Sequence, residues 1–189
     1  MTATTDLPLL TWLAAAGRGF RLAPPPGSLT TLIPRGERSD GWTLTDSYAQ
    51  FPGVLECEVH PPTLDNGFVA NAIRTSFVFD ELDGADEILD TATDLEDLGS
   101  TDVVHQPITR LADHIVKTSY FGTYPHSGRT LYCWTDYYLI ATGTGGYLLQ
   151  HTKTATETQW PTVGSDFTQM TARFERTIAE AVSHDEKPA

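Results

Sequence analysis

The segment spanning residues 121–156 (FGTYPHSGRTLYCWTDYYLIATGTGGYLLQHTKTAT) constrains the fold more than any other part of the chain. Leu131, Cys133, Tyr137 and Leu139 share one parity, and Tyr132, Trp134, Tyr138 and Ile140 share the other. A strand sends successive side chains to opposite faces of its sheet. A sheet wetted on one side would not carry aromatics on both. Each face therefore needs cover, and helices are the elements available to give it. Residues 125–128 and 143–146 supply hairpin turns, the latter through glycines that accept positive φ. Strands are predicted over residues 103–109, 114–124, 129–141 and 147–156.

The rest of the chain supplies the edges and the cover. Asp6, Pro8 and Gly17 bracket a short helix in the N-terminal extension 1–17. Phe20 and Leu22 suggest a short edge strand stopped by Pro24, Pro25 and Pro26. Residues 27–40 read as a loop and 42–47 as a strand. In residues 54–60, Val54, Glu56 and Glu58 alternate with Leu55, Cys57 and Val59, which predicts one wet and one dry face. Asn66 and Gly67 form a turn, and residues 68–79 a further strand. A helix over 84–98 is capped by Asp83, carries the stripe Ile88, Leu89, Ala92 and Leu95, and ends at Gly99. The last helix is predicted to start at Ser165 or Asp166, with Gln169 completing a capping box. Phe167, Met170, Phe174, Ile178 and Val182 form its buried stripe. The whole chain, 1–189, reads as one domain, with 184–189 as a disordered tail.

The net charge is −13, from 25 acids against 12 lysines and arginines. A field of that sign repels phosphate backbones and anionic lipid, so nucleic acid is not an expected partner. Residues 80–102 hold ten acids and no Lys or Arg. That run reads as a solvated helix face, or as a docking surface for a basic partner. No apolar run reaches the ~18 residues of a membrane span, so no integral membrane segment is expected. The apolar stretch 9–16 lacks the basic n-region of a secretory signal, which makes the cytoplasm the expected compartment. Cys57 and Cys133 lie in apolar runs and read as buried reduced thiols, with one disulfide as the alternative in an exported protein.

Motifs for chemistry are missing. The six histidines (His60, His105, His114, His126, His151 and His184) form no HExxH pattern, and no CxxC pair accompanies them. No G-x-S-x-G elbow occurs. Ser127 beside His126 reads as a polar turn, and the glycines of 143–146 lack the Lys and following helix of a phosphate loop. Asp113 and His114 are adjacent, which would turn them to opposite faces of a strand. No catalytic residue, cofactor or metal is assigned. Tyr124, Trp134 and Trp160 are the candidate ligand-binding residues, as aromatics able to line a cleft for an apolar or sugar ligand.

From residue 68 to 178 the order is strand, acidic helix, paired strands, Gly128-Arg129-Thr130 before an aromatic strand, Tyr147-Leu148-Leu149-Gln150, Thr152 to Gln159, and an amphipathic terminal helix. This string resembles the LpqN/LpqT family of actinobacterial proteins, whose fold is shared with PsbP subunits and a Mog-type protein. The resemblance implies an α+β fold: an antiparallel sheet of about six or seven strands with helices on both faces, a PsbP-like α/β/α sandwich. It also implies a protein that is not an enzyme. The leading expectation is a non-catalytic binding or adaptor protein that engages a protein partner or a small apolar ligand. The alternative is a small hydrolase in which His105, His114 or His151 meets Asp136, Cys133 or Ser127 only in the fold. A homodimer joined through a strand edge is a further expectation.

Overall fold

The computed structural model describes residues 21–22, 38, 40–47, 53–81, 89, 94–142 and 145–185. The strands are β1 (Arg21–Leu22), β2 (Thr43–Leu44), β3 (Val54–Val59), β4 (Asn71–Phe79), β5 (Val104–Ala112), β6 (Ile115–His126), β7 (Arg129–Thr142) and β8 (Gly145–Thr156). Among the described residues the α-helices are the four-residue α1 (Asp94–Asp97) and the long α2 (Trp160–Asp185), with a 3-10 turn at Pro61–Thr63. All strands join one antiparallel sheet in the order β2-β3-β4-β8-β7-β6-β5. β1 pairs with the far end of β4, at Phe77 and Val78, beyond the end of β3.

This architecture corrects the expected α/β/α sandwich. Among the described residues the protein is mostly β, with one long helix on one face and no comparable helix on the other. Helix α2 lies on one face, where Phe167, Met170, Phe174 and Ile178 are buried in two clusters. On the other face, Phe77, Phe79, Tyr120, Tyr137, Leu139 and Leu148 bury one another with Leu89 and Leu95. Apolar residues on both faces of β7 demanded cover, as the sequence predicts. Among the described residues the second face is covered by the cluster's own large side chains, by Leu95 of α1 and by Leu89, with Val103 and Ile108 at the margin.

Local chemistry explains the joints. Ser127 and Gly128 both take positive φ (49° and 76°), the geometry that matches the twist of a two-residue hairpin. Gly99, at φ 91°, closes α1: its N–H bonds Glu96 O, and the next N–H, of Ser100, reaches back to Leu95 O at 3.0 Å. Asp113 and His114 form the β5–β6 turn, not part of a strand. Helix α2 starts at Trp160, earlier than the predicted capping box. Gln159 organises that start, accepting from the Thr156 backbone N–H at 2.8 Å and donating to Phe68 O at 3.1 Å. Asp166, the predicted cap, instead accepts from Trp42 Nε1 at 2.9 Å. The predicted N-terminal helix, most of the 27–40 loop and most of the 84–98 helix lie outside the described residues, as do residues 186–189 and the Val182 side chain.

Candidate functional site

One rung of the sheet is polar from β3 to β5: Glu56, Arg74, His151, Asp136, Ser119 and Gln106 are successive register partners. Strand alternation turns this rung toward α2. Arg74 sits over the Phe174 ring at 5.2 Å, and His151 meets the same ring edge-on at 5.4 Å. The predicted wet face of β3 is therefore corrected: Glu56 and Glu58 point inward, and Arg74 donates to both, to Glu58 at 3.0 Å. A guanidinium on the neighbouring strand offsets the desolvation of two carboxylates, a pairing that alternation in one strand cannot reveal.

Asp136 is the hub. It is fully buried, yet it accepts from Ser119 Oγ (2.6 Å), Trp134 Nε1 (3.0 Å), Thr171 Oγ1 on α2 (2.7 Å) and Lys153 Nζ. Lys153, equally buried, also donates to Thr171 at 2.7 Å. Lys117 lies 3.6 Å from Asp136 and pairs with Glu175 on α2. Burial alone would raise the Asp136 carboxyl, but Lys153 and Lys117 hold it below the ordinary carboxylate range. Burial pulls the Lys153 ammonium down to about 8 against the support of Asp136. His151 is held neutral well below its usual value, first by burial and then by Lys153, Arg74 and Lys117. Neither of its ring nitrogens is hydrogen-bonded.

The β5 end of the rung opens into a groove of about 510 Å³. Phe121, Trp134 and Trp160 form its apolar wall, and Gln106, Thr109, Lys117 and Ser119 its polar one. Trp160, the first residue of α2, stacks on Tyr132 at 5.3 Å and leans on Phe121 at 5.2 Å. Trp134 rests on Lys153 Nζ, 4.5 Å from the ring centroid. The wall is thus held in place by the buried network and by the start of α2.

The three candidate aromatics part company. Trp134 and Trp160 share the groove. Tyr124 lies on the opposite face against the cluster that holds Cys133, and burial pushes its phenol up to about 12. Cys57 and Cys133 are both buried thiols, with no disulfide joining them. His105 turns to Thr118 Oγ1 at 2.7 Å and stacks on Tyr120, while Ser127 is exposed in its turn. His151 and Asp136 are register partners sealed beneath α2, without a hydrogen bond between them. Among the described residues, no group of three or more His, Cys, Asp or Glu is placed to hold a metal ion. Sequence reasoning missed Asp136, Lys153 and Thr171 as a unit. The one available signal was a charge at an inward position of two strongly apolar strands.

A single antiparallel sheet backed by one long helix, with an aromatic groove at the helix start, defines the class of this fold. It is similar to LpqN of Mycobacterium tuberculosis, a protein involved in cell envelope biogenesis, with a TM-score of 0.57 and 12% identity over 70% of this chain and 76% of that one. At that identity the likeness is one of fold: the chain is LpqN-like in architecture. A scan against family models and a comparison with curated proteins find no match. Among the described residues, no helix is long and apolar enough to cross a membrane.

Proposed function

We propose that this chain is a non-catalytic binding protein that holds a small, partly apolar ligand in the groove between β5, β6 and the start of α2. The observation that carries this reading is the presence of Trp134 and Trp160 together in the lining of one groove of about 510 Å³. That volume suits a small ligand, and aromatic walls with a few placed polar groups are the usual make-up of such sites. The ring positions are set before any ligand arrives. Trp134 is fixed by Asp136 and Lys153, and Trp160 by Tyr132 and Phe121. A prearranged wall lowers the ordering cost of binding. The fold likeness to LpqN supports an envelope-related role, and fractionation of the native host tests whether the chain works in the cytoplasm or at the envelope.

The test is ligand capture. Immobilised full-length protein is incubated with a small-molecule extract of the native host, and the retained compounds are identified by mass spectrometry. Wild type is expected to retain at least one compound that Trp160→Ala loses by about tenfold or more, the scale of an aromatic hot spot. Retention unchanged by Trp160→Ala, in a variant that keeps its circular dichroism spectrum, would refute the groove as the site.

A further inference from the structure

The chemistry of the groove narrows its ligand further, resting on the binding reading above. The chain is strongly acidic, with 25 acids against 12 lysines and arginines. Yet the described residues that line the groove include Lys117 and no Asp or Glu. An ammonium offers three N–H donors. Glu175 takes one from Lys117, and Asp136 lies 3.6 Å away on the inner side. That leaves a donor for an oxygen brought into the groove.

The apolar wall also has a cation set against it. In the strand register, Trp134 has Lys153 beside it on β8 and Phe121 beside it on β6. Its indole therefore has a buried ammonium on the β8 side and the groove on the β6 side. An aromatic face attracts cations through its negative π-density. With Lys153 Nζ already 4.5 Å from the centroid, that density is drawn inward. The outer face then disfavours a second cation and favours an electron-rich ring or an anion.

The geometry points to a free small-molecule acid with a flat apolar body, its ring against Trp134 and Trp160 and its anionic group at Lys117. Lys153 acts behind the wall as a positioning residue that fixes both the plane and the polarity of Trp134. Three probes with one body and different heads test this: naphthalene sulfonate, naphthol and naphthyl trimethylammonium, titrated calorimetrically into the full chain. The sulfonate is expected to bind about tenfold more tightly than the ammonium, as a charge-assisted contact at a partly shielded lysine implies. That advantage should shrink at high salt and in Lys117→Met, while naphthol binding stays within about twofold. Equal binding of the two charged probes, or a preference for the ammonium, overturns the ligand class but leaves groove binding standing. Sulfonate binding that survives Trp160→Ala also overturns it, because the probe then sits elsewhere. If no probe binds, both readings fall.

Discussion

The face of the sheet turned to α2 carries a charged rung between two apolar clusters, whereas the opposite face buries Phe77, Tyr137, Leu139 and Leu148 in one continuous apolar cluster. Both faces are equally dry at their centres: Asp136 and His151 are as fully buried as Leu148. They differ in what makes dryness tolerable. The apolar face needs only volume and fit. The charged face needs each buried charge paired, because an unpaired buried charge costs far more than a missing methyl group. The groove opens at the end of the charged rung, where aimed polar groups and fixed rings already meet.

The comparison breaks most visibly at Asp136. Its replacement by Ala strands Lys153 in the interior and is expected to cost about 3–5 kcal/mol of stability in urea denaturation. The paired change Asp136→Leu with Lys153→Met should recover most of that loss, since a buried ion pair is often replaceable by apolar side chains. A double variant no more stable than Asp136→Ala would show that the network does more than neutralise itself. On the apolar face, Leu148→Ala should cost about 3 kcal/mol through cavity formation alone. Its loss should be the same at pH 5 as at pH 7, and a marked pH dependence would erase the distinction between the faces.

The smallest effect sharpens the comparison by pH. The native state holds His151 neutral, while the unfolded chain protonates it near its usual pKa of about 6.5. Below that pH the unfolded state binds more protons, so stability falls as pH falls, by at most about 1.4 kcal/mol per pH unit from this group. Asp136 adds a loss in the same direction only near and below the ordinary carboxylate range, because its folded-state value is lowered. Denaturation midpoints between pH 6.5 and 5 should therefore decline in wild type and stay flatter in His151→Phe. An identical decline in the variant would acquit His151.

Much of the scaffold was legible. Apolar residues at both parities of β7 and the glycine-bearing turns gave strands β5 to β8 within a few residues, and the apolar stripe gave the body of the terminal helix. The start of α2 was not legible, because Gln159 makes its bonds to Thr156 and to Phe68, which lies far away in sequence. Trp134 and Trp160, two of the three candidate aromatics, line the groove. Tyr124 looked equivalent on paper and fell on the other face, since a strand-end aromatic reveals its side only once the register is known.

The amino-acid sequence by itself determined that a central sheet would be dry on both sides, because period-two alternation is a local property of the chain. It did not determine what would seal each side. That choice, one long helix here and, among the described residues, a cluster of large side chains with Leu89 and Leu95 there, depended on packing among residues far apart along the backbone. The charged rung is tertiary in the same sense: Glu56, Arg74, His151 and Asp136 become neighbours only when four strands fall into register, and no spacing within any one strand encodes that meeting.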